Sequence, residues 1–186
     1  MTIKRDQIIR VTRDLIFEQG LQDVSMSQIA QRAEVGMGTI YNYFTSKEEL
    51  VFCLYEEAKA AMSAYVLDGY DEGQPVVIRF LRILTKIAEY GLQHPRESRL
   101  MQQLARVPFI QARAEPKEYA QTKAIKRLFI EAQNQHLLKN MPDTVFVLFI
   151  LGALNALVDA HGARQIQMDD VLIEQVVSAC WDAIKR

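Results

Sequence analysis

The sequence predicts an all-helical protein in which a three-helix N-terminal unit precedes a larger helical core. Apolar residues recur at spacings of three and four along most of the chain. Helix-start patterns stand at Ser25, Ser46 and Pro75, and the stretch from Val24 to Leu50 reads as helices too short to stand alone in water. The boundary between the two parts is expected near residue 46, giving 1–46 and 47–186.

The first helix is expected over Thr2–Glu18, where Ile8, Ile9, Val11, Thr12, Leu15 and Ile16 form a stripe that widens toward Phe17. Gly20 stands just past its end, where a left-handed cap suits glycine, and Leu21 is the hydrophobic contact of that cap. Ser25 and Gln28 have the form of a capping box that starts a second helix near Met26. Ile29, Ala30 and Ala33 share one of its faces, and the alanines let another helix come close. The helix runs out at Glu34, Val35 and Gly36. Gly36 and Gly38 bracket a turn, and Thr39 to Phe44 forms one more short helix, with Ile40 and Phe44 inward and Thr39, Tyr41, Asn42 and Tyr43 outward. Two short helices packed on a third make the helix-turn-helix that enters the DNA major groove.

The run Phe17, Gly20, Ser25, Ile29, Ala30, Ala33, Val35, Gly38, Thr39, Tyr41, Phe44, Lys47, Glu48 and Leu50 resembles, in spacing and residue type, the tetracycline-repressor-like (TetR) family of bacterial transcription regulators. The resemblance implies a DNA-binding N-terminal unit, an effector-binding core and a dimer made chiefly by the last two helices. Three positions depart from the family pattern. Glu34 stands where a turn glycine is usual, Met37 where a polar or basic residue is common, and Tyr43 where a histidine is frequent. The expected DNA contacts are Ser25, Ser27, Met37, Gly38, Thr39, Tyr41, Asn42, Tyr43 and Lys47, with Met37 either touching a thymine methyl or packing against the turn.

Ser46 and Glu49 form a second capping box, opening a long helix through about Tyr65. Lys47 lies in its first turn, where a cation opposes the helix dipole and serves better as a phosphate contact. The segment from Asp68 to Gln74 is the clearest break, and Pro75 restarts a helix whose stripe is Val77, Phe80, Leu81, Leu84, Ile87 and Ala88. Arg79, Arg82, Lys86, Glu89 and Gln93 are expected on its solvated face. His94 and Pro95 end it, a shorter helix follows to Arg106, Val107-Pro108-Phe109 breaks the pattern, and another helix is expected from Pro116 to Leu138. The last two are expected over Asp143–Ala160 and Asp169–Ile184.

An effector cavity is expected between the long fourth helix and the helices starting near Pro75 and Pro116. Its candidate lining is Met62, Tyr65, Leu84, Met101, Phe109, Tyr119 and Phe129, since aromatic and Met side chains make adaptable apolar walls. Phe146, Phe149, Leu157, Val177 and Trp181, with a small face at Gly152, Ala153 and Ala156, exceed what one subunit needs to bury. A homodimer through the last two helices is therefore expected, with Phe149, Gly152, Ala153, Ala156, Val177 and Trp181 at the interface.

Net charge excludes a binder that grips nucleic acid by bulk charge alone, because 22 basic residues face 23 acidic ones. What survives is a site-specific reader of a double-stranded operator, with few phosphate contacts and helix N-termini turned toward the backbone. The chain is expected in the cytoplasm and not in a membrane, since no uninterrupted apolar run reaches the roughly 18 residues of a spanning helix. His94, His136 and His161 are isolated from partners at ligand spacing, and Cys53 and Cys180 read as free thiols, so no metal or cofactor is expected. An enzyme is disfavoured by the lack of a phosphate-binding glycine loop, a nucleophile elbow, HExxH or a di-iron carboxylate set. The function expected is a ligand-responsive regulator, a repressor released by a small apolar or aromatic effector. The alternatives are a helical DNA-binding adaptor without an effector and, behind it, a helical-bundle enzyme.

Overall fold

The computed structural model describes residues 2–113 and 120–186. Among them the chain forms ten helices and no strand: α1 (Thr2–Gln19), α2 (Met26–Arg32), α3 (Met37–Tyr43), α4 (Lys47–Leu67), α5 (Val76–Gln93), α6 (Pro95–Leu104), α7 (Pro108–Arg113), α8 (Ala120–Asn134), α9 (Asp143–Gly162) and α10 (Asp170–Ile184). They gather into two compact units, one of Met1–Lys59 with Arg99–Glu115, the other of Ala60–Ser98 with Pro116–Arg186. The first unit thus reaches past residue 46 and takes in a later segment of chain.

In the first unit, Ile8, Ile29, Ala33, Ile40, Phe44, Leu50 and Val51 form a core in which Leu100, Leu104 and Ile110 are also buried. α7 was not anticipated, because a proline at a helix start and a proline that breaks a pattern look alike in sequence. Ser25 and Gln28 form a complete capping box. The box at Ser46 is offset: Ser46 Oγ accepts from Glu49 N–H at 3.2 Å, but the Glu49 carboxylate reaches one residue further back, to Thr45 N–H at 2.6 Å. Those bonds from Thr45 hold the Glu49 carboxyl below the usual glutamate range, so this tie is present at neutral pH and lost as acid protonates it.

The turn after α2 keeps the geometry of a glycine cap without a glycine. Glu34 adopts φ 52°, its N–H donates to Gln31 O at 3.2 Å, and Val35 N–H donates to Ala30 O at 3.0 Å, the paired bonds of a Schellman motif. A left-handed non-glycine residue costs about 1–2 kcal/mol, against about 0.5–1 kcal/mol of extra chain entropy that glycine loses on folding. Glu34→Gly is therefore expected to stabilise the protein by about 0.5–1 kcal/mol, seen as a higher urea midpoint at unchanged slope. A lowered midpoint would show that the glutamate makes up its strain elsewhere.

The second unit is organised on α5, which packs with α8, α9 and α10. The Phe80 ring meets Phe129 edge-on at 5.0 Å and Trp181 at 5.3 Å, and Phe129 stacks on Phe146 at 5.8 Å. Gly91 permits the closest approach of α5 to α9, since a Cβ there would lie 3.0 Å from both Val158 methyls. The chain's last residues are clipped back, with Lys139 N–H donating to Ile184 O at 2.9 Å and Arg186 N–H to Leu137 O at 2.8 Å. Arg79 is not on a solvated face: it is 5% exposed and paired with Glu131 Oε2 of α8 at 2.5 Å.

Candidate DNA-reading surface and effector cleft

Two polar ties fix α2 to α1, and a third fixes the start of α4 to the loop after α1. Gln7 Nε2 donates to Ala33 O at 3.0 Å, capping the end of α2 from α1. Arg32 grips Glu18 with both terminal nitrogens, one of them 2.6 Å from Glu18 Oε1. That carboxylate raises the already high pKa of Arg32. Lys47 Nζ donates to Leu21 O at 2.6 Å and reaches Gln22 O at 3.5 Å. The lysine is half-buried and engaged with the loop after α1, whose carbonyls offset the opposing dipole of α4. Glu18 and Arg32 were passed over in sequence because fourteen residues separate them and only the packing of α2 on α1 brings them together.

α3 stands on Ile40 and Phe44, both buried, and turns Met37, Gly38, Tyr41 and Asn42 to solvent, Tyr41 at 50% exposure. Thr39 is half-buried. Tyr43 departs from expectation, packing against the first unit's core with its ring centroid 6.4 Å from that of Phe44. Ser25 and Ser27 are exposed at the start of α2, their hydroxyls 2.9 Å apart, and Ser25 Oγ also donates to Gln28 Oε1 at 2.9 Å. This surface offers hydroxyl groups at the start of α2 and amide, phenol and thioether groups on α3, which is the chemistry of base-edge and phosphate contact.

In the second unit an apolar cleft of about 40 Å³ lies among α5, α8 and α9, lined by Phe80, Leu84, Ile125, Phe129, Val147 and Leu151 among others. It has no polar group on its wall, so a water there would find no partner. The expected lining comes together only in part. Leu84 and Phe129 are on the wall, and Met62 packs against the same core. Tyr65 instead donates its hydroxyl to Gln93 Oε1 at 3.0 Å and sets its ring 5.4 Å from Tyr90. Met101 and Phe109 pack on the core of the first unit, and Tyr119 lies outside the described residues.

The outer face of α9 is apolar: Val145, Leu148, Phe149, Gly152 and Ala156 are exposed at spacings of three and four, with Leu148 at 69% and Phe149 at 55%. A Cβ at Gly152 would meet nothing within 4 Å. Ala153 is half-buried against its own core. Val177, Trp181 and Phe146 were expected to exceed the subunit's needs, yet all three are buried within it. Their helices carry two apolar stripes in sequence, and position alone does not tell which stripe the subunit uses. The exposed face of α10 runs through Val171, Glu174, Gln175, Ser178, Ala179 and Asp182.

A three-helix unit with an outward third helix, joined to a helical core, defines a helix-turn-helix transcription regulator. Residues 8–53 match the family described as bacterial regulatory proteins, tetR family, and residues 75–185 match the tetracyclin repressor-like C-terminal domain. The chain belongs to the TetR family of DNA-binding transcription regulators. It is 27% identical to an HTH-type transcriptional regulator of Haemophilus influenzae, across 97% of this chain and 95% of that one. A TetR-family transcriptional regulator from Vibrio parahaemolyticus superposes with a TM-score of 0.83 at 26% identity, over 98% and 99% of the two chains. The fold is shared as well with FadR of Bacillus subtilis, solved in complex with stearoyl-CoA, at a TM-score of 0.71 and 18% identity over 95% of each chain.

Proposed function

We propose that the protein is a cytoplasmic homodimeric repressor that reads a palindromic operator with α3 and is released by a small apolar effector. The observation that carries the DNA reading is the outward face of α3, where Met37, Tyr41 and Asn42 stand exposed over the buried Ile40 and Phe44. The dimer is supported by the bare apolar stripe of α9. That helix is long and apolar enough to cross a membrane by length and composition. Its other stripe, Phe146, Ile150, Leu154 and Val158, is buried within its own unit, and Asn155 and Asp159 interrupt the apolar run of the helix, so the outer stripe suits a partner helix better than lipid.

Selection of bound sites from random duplex DNA tests this reading. The expected product is an inverted repeat with half-site centres about 34 Å apart, one turn of the duplex. Recovery of no preferred sequence would overturn it. Beyond the N–H given to Leu21 O and the one turned toward Gln22 O, Lys47 has a third donor, which is proposed to reach a phosphate. Lys47→Ala is expected to cost about 1 kcal/mol of folding stability and to lower the salt slope of operator binding by about one. Lost stability with an unchanged slope would leave Lys47 only its structural tie.

The effector is proposed to enter at the apolar cleft walled by Leu84 and Phe129. Its present volume of about 40 Å³ is far below the roughly 300–1,000 Å³ of ordinary ligand sites, so binding requires α8 to move off α5. The stearoyl-CoA seen in the Bacillus subtilis neighbour makes long-chain acyl compounds one class of probe, beside compact aromatics. A true effector raises the melting temperature with concentration and weakens operator binding. Compounds that do the first without the second would leave the adaptor reading in place.

A further inference from the structure

A second cleft, of about 610 Å³, opens in the second unit beside the end of α5, the start of α6 and the α9–α10 loop, and it shares no lining residue with the apolar cleft. Its volume falls in the range of small-molecule sites. Part of the wall is apolar, from Leu92, Val158 and Ile166; the rest comes from His161, Arg164, Gln165 and Gln167, and no carboxylate lines it. The loop that carries these side chains is fixed. Arg164 takes φ 59°, its N–H donates to His161 O, and Gln165 N–H donates to Ala160 O, both at 2.9 Å, a second Schellman cap without glycine. His161 Nδ1 accepts the Met168 N–H at 3.1 Å. With Nδ1 accepting, Nε2 is the nitrogen left to donate. The polar wall thus offers one guanidinium, on Arg164, together with imidazole and amide donors.

We propose that this cleft binds a small monocarboxylate with an apolar body, the carboxylate on Arg164 and the His161 N–H, the body against Leu92, Val158 and Ile166. One guanidinium matches one carboxylate in charge and in fork geometry. A dianion would carry a second charge with no fixed cation in the lining to meet it. The proposal stands independently of operator reading and of the apolar cleft.

The test is calorimetric titration of the full chain with hexanoate, its neutral amide hexanamide, and inorganic phosphate, repeated on Arg164→Gly. Glycine adopts φ 59° without strain, so that variant removes the guanidinium while keeping the cap, and its melting temperature without ligand should equal or exceed that of the wild type. Hexanoate is expected to bind with at least tenfold preference over hexanamide, and Arg164→Gly is expected to weaken it about tenfold or more. Side-chain amide signals of Gln165 and Gln167 should shift on titration in the wild type. The proposal is overturned by undiminished hexanoate affinity in Arg164→Gly, which would place the ligand elsewhere. Equal binding of hexanamide would overturn it too, as would phosphate binding as tightly as hexanoate, or no hexanoate binding in the millimolar range.

Discussion

Replacing Leu148 and Phe149 together with aspartate is expected to leave a folded, monomeric protein that has lost operator binding. Both side chains project from α9 into solvent, so the subunit forfeits little of its own packing. At a two-fold seam each is buried twice, and at about 1.5–3 kcal/mol per large apolar side chain the four together contribute on the order of 6–12 kcal/mol to association. Charges in their place would also have to be desolvated beside their symmetry mates. Operator affinity falls because two linked recognition helices become two separate ones: the effective concentration of the second half-site, about millimolar for a tethered partner, is lost, and with it a factor of about 10²–10⁴. Sedimentation velocity, a circular-dichroism melt and fluorescence anisotropy on the selected operator separate these effects. If the wild type sediments as a monomer at micromolar concentration, or the variant still sediments as a dimer, the seam is not on this face of α9.

How much of this was legible in sequence follows the range of the interaction. The capping box at Ser25 and the inward pair Ile40 and Phe44 are set within a few residues, and their geometry follows from the local pattern. Glu34 stands where the family usually has a turn glycine, the turn was expected between Gly36 and Gly38, and the chain takes its left-handed residue at Glu34. The offset box at Glu49 is local, a choice between Thr45 and Ser46 as the carboxylate's donor, whereas the tie from Lys47 to Leu21 O and the pairing of Arg32 with Glu18 need the packed unit to bring them about. The same holds for the choice between stripes on α9 and α10. Both helices are apolar on more than one side, and only the position of α5 decides that Val177 and Trp181 turn inward while Leu148 and Phe149 stay outside. The candidate effector lining divided for a related reason. Met101 and Phe109 lie in segments whose apolar faces serve the first unit, and no periodicity within a helix states which neighbour it will meet.

Arg79 is the plainest case of a residue whose sequence reading reversed, and it carries a large expected effect. Helical spacing put it with Arg82, Lys86 and Glu89 on a polar face; in the fold its guanidinium is buried against Glu131, which is 43% exposed. The hydrogen bond it donates to that carboxylate, the largest influence, raises the arginine's pKa further, so the guanidinium cannot relieve its burial by giving up a proton. Its Nε is also buried without a partner. Removing the carboxylate leaves the buried charge with Tyr70 as its remaining side-chain partner, and Glu131→Ala is expected to cost about 2–3 kcal/mol, at the low end for such pairs because water reaches the glutamate. Arg79→Met fills similar volume with no charge to desolvate and frees the glutamate to hydrate, so it should cost less than about 1 kcal/mol or stabilise. The double variant should then recover most of the loss seen in Glu131→Ala, giving a coupling of about 2 kcal/mol in a double-mutant cycle read by urea unfolding. Independent, additive losses would mean that Arg79 contributes through the packing of its stem and that the ion pair contributes nothing measurable to the second unit.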